Sequence, residues 1–360
     1  MEPVIKHRDF KRILIIKPSS FGDVIHALPV LEGLRQRYPN AHIAWLVSTA
    51  CAGLLENNTH LDEIIPFDRK RFGRIGRSAR ITLEFVQFVR ALHARRFDLT
   101  IDLQGLFRSG FLSLASGARV RIGFRNAREF GWIFYSHRIG VSRADMHAVD
   151  RYYLVGDVLG FADVPIGFHL PVGESPRSAV QEMLIAGGCS PGQDYVLIAP
   201  GTRWETKHWP AEHFAELAKH LAREHGVSVV LAGAPDEAEL AARVATLAGG
   251  CVVNLAGRTT IQQMAALVDG ASVVVMNDTG PMHLAAAMGK PLVALYGPTS
   301  EDRTGPYGRS ATVERLDLDC SPCYLKRLAD CPFGHRCLRD LSPMRVADRV
   351  SGLLKEVSLR

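Results

Sequence analysis

The chain has 360 residues, 47% of them hydrophobic and 22% charged, with a net charge of +6. That length allows two domains of ordinary size, each with its own core, and the composition excludes a low-complexity or disordered chain. Arg, Lys, Asp or Pro interrupts every apolar run before it reaches a membrane span, and MEPVIKHRDFKRILIIK lacks the apolar core and cleavage site of a signal peptide, so the expected location is the cytoplasm.

In chain order, the first half reads as a strand at Arg12–Lys17, a turn at Pro18–Asp23 and a helix at Val24–Tyr38 with Pro29 near its start. Strands follow at His42–Val47 and Glu63–Phe67, then a helix at Ile81–Arg96. The strand Asp98–Leu103 opens into Gln104-Gly105 and a helix from Leu106, and Arg119–Phe124 is a further strand. Residues 123–150 read as irregular, and Gly160–Gly192, with four prolines, reads as a linker. The second half alternates strands at Tyr195–Ala199, Ser228–Ala232, Val252–Leu255, Ser272–Met276 and Leu292–Tyr296 with helices at 211–225, 236–248, 260–269 and 281–288.

Short apolar strands alternating with helices imply parallel sheets covered on both faces. The fold class is therefore α/β, with two Rossmann-like domains and a cleft between them. The expected bounds are 1–170 and 171–342, followed by a last helix in 343–360 that can pack back on the first domain. Ligands of such sheets bind beyond the C-terminal ends of the strands, which directs attention to the turns there.

Residues 273–299, VVVMNDTGPMHLAAAMGKPLVALYGPT, hold the most informative of these turns. Asn277-Asp278-Thr279-Gly280 would lie over a helix N-terminus, whose free N–H groups and dipole attract anions. Asp278 can hold a sugar hydroxyl there, Thr279 and Gly280 a phosphate, and His283, one turn into the helix, can reach the same spot. An ordinary βα turn is the plainer alternative.

The first turn, Lys17-Pro18-Ser19-Ser20-Phe21-Gly22-Asp23, matches neither a Walker loop nor GxGxxG, and neither motif occurs elsewhere, which counts against ATPases and NAD enzymes. Asp23 sits where a carboxylate caps a helix; at a cleft it can also take a proton from a sugar hydroxyl. In Pro200–Pro210, Thr202 and Lys207 can grip a diphosphate before Trp209-Pro210 starts a helix. An acid in Gly233–Glu237 can accept ribose hydroxyls or simply begin a helix.

Four of the seven cysteines, Cys320, Cys323, Cys331 and Cys337, fall within 18 residues. Their thiolates can close a tetrahedral structural metal site, with His335 as a substitute ligand; a reduced cluster or a disulfide pair is the alternative. Asp317-Leu318-Asp319 has the DxD form but lies far from the phosphate turns in sequence.

Charge is uneven. Residues 1–170 carry 24 Lys and Arg against 16 Asp and Glu, and the remainder 19 against 21. Within 69–128 there are 14 cations and three acids. That half suits an anionic surface or substrate. No nucleic-acid-binding module accompanies it, and a solvated basic face is the alternative.

Taken together, ILIIKPSSFGDVIHALPVLEGLR, DLTIDLQGLFRSG, KHWPAEHFAELA, NDTGPMHLAAAMGKPLVALYGPT and CSPCYLKRLADCPFGHRCL resemble glycosyltransferase family 9, the lipopolysaccharide heptosyltransferases. The cysteine tail looks most like the branch that adds the second heptose, while the turn at Thr202–Lys207 looks closer to the first-heptose enzymes or to the family in general. The resemblance implies a GT-B fold and inverting transfer from ADP-heptose to the lipid A–Kdo inner core, with no cofactor required for catalysis. It implies Asp23 as general base and a donor pocket of Thr202, Lys207, Glu237, Thr259, Asp278, Thr279, Gly280 and His283. Arg128, His147 and Arg151 fall at its basic acceptor contacts. The enzyme would be peripheral on the inner leaflet, aided by any of Phe72, Phe85, Phe88 and Phe107 that are not core. Two other readings stay open: a family member acting on a protein or outer-polysaccharide acceptor, and a scaffold with a degenerate site.

Overall fold

The computed structural model describes residues 5–143, 145–309 and 312–359. Residues 1–4 and 360, at the outer bounds of the expected domains, lie outside these. The chain divides into two compact units, Met1–Pro171 and Val172–Arg360.

The first unit contains β1 (Arg12–Ile16), α1 (Phe21–His26), α2 (Leu28–Arg37), β2 (His42–Ser48), β3 (Glu63–Phe67), α3 (Arg69–Phe72) and α4 (Ala79–Ala94). It continues with β4 (Leu99–Asp102), α5 (Phe107–Ala115), β5 (Val120–Phe124), β6 (His137–Ile139), α6 (Ala148–Tyr153) and α7 (Val155–Leu159). Its six strands are ordered β3-β2-β1-β4-β5-β6, all described pairs being parallel. Central strands such as RILII and HIAWLVS are apolar on both faces because helices cover both. The single helix expected at Val24–Tyr38 is two, α1 and α2, since Pro29 occupies the first turn of a new helix rather than the interior of one.

The second unit contains α8 (Glu174–Ala186), β7 (Tyr195–Ala199), α9 (Ala211–His225), β8 (Ser228–Leu231), α10 (Ala238–Leu247), β9 (Val252–Asn254), α11 (Ile261–Gly270) and β10 (Val273–Asn277). After these come α12 (Gly280–Ala287), β11 (Leu292–Leu295), α13 (Glu301–Thr304), β12 (Val313–Glu314), α14 (Arg336–Arg339) and α15 (Pro343–Ser358). The order β12-β11-β10-β7-β8-β9 repeats the topology of the first sheet. In both sheets the order reverses beside the unit's first strand, at β1/β4 and β7/β10, which is where such sheets take ligands.

Three expectations are refined. The expected linker Gly160–Gly192 does hold the boundary between the units, at Pro171/Val172, but its later part contains α8, whose Arg177 pairs with Asp269 of α11. The stretch 123–150 contains β6 and the start of α6. The last helix spends its apolar face inside the second unit: Val346, Ala347, Val350 and Leu354 join the core of Trp209, Phe214, Leu217 and Leu221. Phe72 is buried with Phe67, Phe85 and Phe88 against it, whereas Phe107 is half exposed. Among the described residues no helix is long and apolar enough to cross a membrane.

Candidate active site

In the first unit, β1 delivers the chain to the turn before α1, and Asp23 is the third residue of that helix. Its Oδ2 accepts from the backbone N–H of Ser20 at 2.9 Å and from the Ser20 hydroxyl at 2.7 Å, so the capping role is present. Oδ1 accepts from the Tyr152 hydroxyl at 2.9 Å and lies 3.5 Å from the Lys17 ammonium. The carboxylate nevertheless keeps 36% of its surface exposed. Burial opposes its charge, but the Lys17 ammonium and the Ser20 and Tyr152 donors outweigh it and hold Asp23 well below the usual carboxylate range.

Lys17 is 3% exposed, donates to the carbonyl of Leu103 at 3.3 Å and lies 4.7 Å over the Tyr152 ring. Burial lowers its pKa, against the pull of Asp23 and Asp102. Asp102 ends β4 with one oxygen receiving the N–H groups of Gln104 and Gly105 and the other the Tyr135 hydroxyl at 2.7 Å. Its complete burial raises its pKa.

The expected acceptor residues gather around this turn. Arg151, on α6 beside Tyr152, donates to Asn126 Oδ1 at 3.1 Å and stacks over Phe124 at 5.1 Å. Arg128 is exposed, and its N–H fastens its loop to Gly105. His147 caps α6 and packs edge-on against His26 of α1, ring centroids 5.3 Å apart. Arg69, from the cation-rich stretch, donates to Ser19 Oγ of the turn. Other cations of that stretch are spoken for: Arg71 pairs with Glu84 and Arg95 with Glu63.

In the second unit, the turns after β7 and β10 are stapled by Asn277. Its side chain accepts from Trp209 N–H at 3.3 Å and donates to the Pro200 carbonyl at 2.7 Å. The Thr202 hydroxyl donates to the Asp278 carbonyl at 3.1 Å. Lys207, in a one-turn 3₁₀ segment, places its ammonium 2.5 Å from Asp278 Oδ2, and the Thr299 hydroxyl donates to the same oxygen at 2.6 Å. Thr279 is the N-cap residue of α12 and its side chain makes no cap bond; Gly280 and Pro281 open the helix, and His283 is buried one turn in. Glu237 accepts from the N–H of Ala234 at 2.8 Å and leans over Gly201, where a Cβ would come within 2.2 Å of its carboxyl carbon. Burial raises its pKa. Thr259 lies in the turn after β9, two strands from β7, beside the α11 cap Thr260.

The second unit thus brings Thr202, Lys207, Asp278, Thr279, Gly280 and His283 together at its switch point, with Glu237 adjoining, and leaves Thr259 at the periphery. Sequence reasoning missed Lys17, Tyr152, Asn277 and Thr299. Lys17 and Asn277 stand next to residues that were singled out; Tyr152, 129 residues from Asp23, carried no local signal.

The tetrathiolate site is not assembled: among the described residues no group of three or more His, Cys, Asp or Glu side chains is arranged to hold a metal ion. The reason is local. Cys331 Sγ accepts from the N–H of His335, Cys337 packs with Leu338 against Gly297, and Cys323 is exposed. All seven cysteines are free thiols, and burial with neighbouring Cys323 and Cys331 pushes the Cys337 thiol up to about 11. His335 instead turns its Nε2 to the Thr206 carbonyl at 2.7 Å.

Residues 85–330 match the family model for glycosyltransferase family 9 (heptosyltransferase). The chain is 33% identical over 308 residues to lipopolysaccharide heptosyltransferase 1 of Escherichia coli strain K12, covering 84% of this chain and 93% of that one. It is 32% identical over 361 residues to lipopolysaccharide heptosyltransferase 2 of Salmonella typhimurium strain LT2, covering 96% and 99%. The solved structure of E. coli ADP-heptose lps heptosyltransferase II aligns with a TM-score of 0.78 and 30% identity over 96% of this chain and 99% of that one. Two six-stranded sheets of this topology, matched along nearly their whole length, are the GT-B fold of glycosyltransferases. The chain belongs to glycosyltransferase family 9, the heptosyltransferases.

Proposed function

We propose that the protein moves L-glycero-D-manno-heptose from ADP-heptose to the inner core of lipopolysaccharide, with inversion at the anomeric carbon. The observation that carries this reading is the gathering of Thr202, Lys207 and Asp278 at the open N-terminus of α12, where amides and an ammonium meet as a diphosphate requires. In the step proposed, an acceptor hydroxyl oxygen bonds to the anomeric carbon as the bond from that carbon to the β-phosphate oxygen breaks. The electron pair leaves with ADP, whose growing charge Lys207 and the α12 amides stabilise. The hydroxyl proton passes to Asp23.

Asp23 is a weak base, held ionised by three neighbours. A weak base suffices here, because the hydroxyl becomes strongly acidic only as its oxygen bonds to carbon. Asp23 then needs to be ionised and placed, which Ser20, Tyr152 and Lys17 arrange. The cations Arg69, Arg128 and Arg151 around the turn suit an acceptor bearing carboxylates and phosphates. Docking on the anionic inner leaflet is part of the same proposal.

The second heptose is the addition we favour, on the cysteine-rich segment. Purified protein would be given ADP-heptose and three acceptors: Kdo₂-lipid A, its mono-heptosylated form and its di-heptosylated form. Transfer to the mono-heptosylated acceptor is the expected result. Transfer to Kdo₂-lipid A alone would make it the first-heptose enzyme, and transfer to none would remove the lipid acceptor.

A further inference from the structure

The cysteine-rich segment, which the reaction above does not use, is fastened to both turns that surround Asp278. On one side the His335 Nε2 bonds to the Thr206 carbonyl, the Thr206 hydroxyl donates to the Leu325 carbonyl at 2.5 Å, and Leu328 N–H donates to the Glu205 carboxylate at 3.0 Å. On the other, Tyr324 N–H donates to the carbonyl of Pro298, next to Thr299, at 2.7 Å. Between these anchors the segment presents Lys326, exposed, with its ammonium 5.0 Å from the centre of the Trp204 ring. The Lys207 ammonium lies 4.5 Å from the same ring. One indole therefore carries two ammonium groups, an arrangement that its negative faces stabilise.

Charge balance separates the two lysines. The Lys207 ammonium is shared with Asp278, so a diphosphate there meets a cation whose charge is already partly offset. Lys326 has no carboxylate within ion-pair distance among the described residues. Its neighbour Arg327, in contrast, is paired with Asp330 at 2.7 Å.

We infer that Lys326 is a second diphosphate-binding cation of the donor site, presented by the cysteine-rich segment and taking the terminal phosphate of ADP. The inference rests on the nucleotide-diphosphate reading above. It gives the segment a role through its hydrogen bonds to the Thr206 and Pro298 carbonyls.

The test is equilibrium binding of ADP and of AMP to the full chain, as wild type and as Lys326→Ala, Lys326→Arg and Arg327→Ala. Lys326→Ala is expected to weaken ADP about tenfold and to leave AMP within about twofold, the loss of one charge-assisted phosphate contact. Lys326→Arg is expected to restore most of the ADP affinity, and Arg327→Ala to bind both nucleotides like the wild type. Unchanged ADP affinity in Lys326→Ala would overturn the inference. Equal loss of ADP and AMP would overturn it too, by showing a merely structural effect of the segment. A wild type that does not prefer ADP over AMP would instead remove the diphosphate reading itself.

Discussion

The ammonium of Lys207 lies 2.5 Å from Oδ2 of Asp278, and both side chains are largely buried, at 14% and 5% exposure. Each was expected to face the donor, yet they meet each other across the switch point of the second sheet. The Thr299 hydroxyl bonds the same carboxylate oxygen. A diphosphate must therefore share Lys207 with Asp278, and the pair sets the geometry of the turn as well as its charge.

Removing Lys207 strands a buried carboxylate. Lys207→Ala is expected to destabilise the protein by about 3–5 kcal/mol, as breaking a buried pair does. The double variant Lys207→Met with Asp278→Asn should recover much of that in denaturant unfolding while ADP binding stays lost. A double variant no more stable than Lys207→Ala would deny that the pair is what the single change breaks.

Asp23 and Tyr152 give a linked prediction. Asp23→Ala should lower turnover by roughly 10²–10⁴ and leave ADP affinity unchanged. Tyr152→Phe removes a donor that favours the Asp23 carboxylate, so the folded-state pKa of Asp23 should rise toward its ordinary value. An acid limb of kcat/KM set by Asp23 would then move to higher pH, with the neutral-pH rate less affected than in Asp23→Ala. Identical profiles for wild type and Tyr152→Phe would remove Tyr152 from that role.

His335 supplies a pH dependence of stability. Burial lowers its folded-state pKa below the ordinary 6.5, the Thr206 carbonyl opposing and His208 and Arg339 adding to the shift. Between that depressed value and 6.5 the unfolded chain binds more protons, so stability is full above 6.5 and is lost as pH falls toward the folded pKa. His335→Gln keeps a donor near the Nε2 position and does not titrate. Its melting temperature should fall less than the wild type's on going from pH 7.5 to about 5. Equal falls would assign the effect to other groups, such as the half-buried His213, whose pKa burial also lowers.

Gly201 tests the placement of Glu237. A Cβ there would come within 2.2 Å of the Glu237 carboxyl carbon, and a flexible side chain can yield where backbone cannot. Gly201→Ala should fold and lose nucleotide affinity to the same degree as Glu237→Ala, and the double variant should be no worse than either. Additive losses would show that the two act independently.

Much of the fold was legible in the chain. The apolar runs RILII, HIAWLVS, YVLIA, VVVMN and LVAL are strands because a strand covered on both faces needs no polar alternation. Strand β6, three residues with an exposed centre, and α8, among prolines and glycines, lacked a pattern long enough to read. The turns ending in Asp23, Lys207 and Asp278 were visible because strand-to-helix turns are local, and helix N-termini bind anions wherever they occur.

Sequence alone, then, determined two α/β units of parallel strands, the family, and the short segments bearing its chemistry, since each depends on neighbours within a few residues. Only the tertiary structure decided what those residues do to one another. It turned Lys207 onto Asp278, set Tyr152 and Lys17 on the Asp23 carboxylate, and sent His335 to the Thr206 carbonyl rather than into a thiolate cluster. Parallel sheets hydrogen-bond strands that are far apart in the chain. The contacts at their C-terminal ends are therefore made between distant residues, and no local pattern records them.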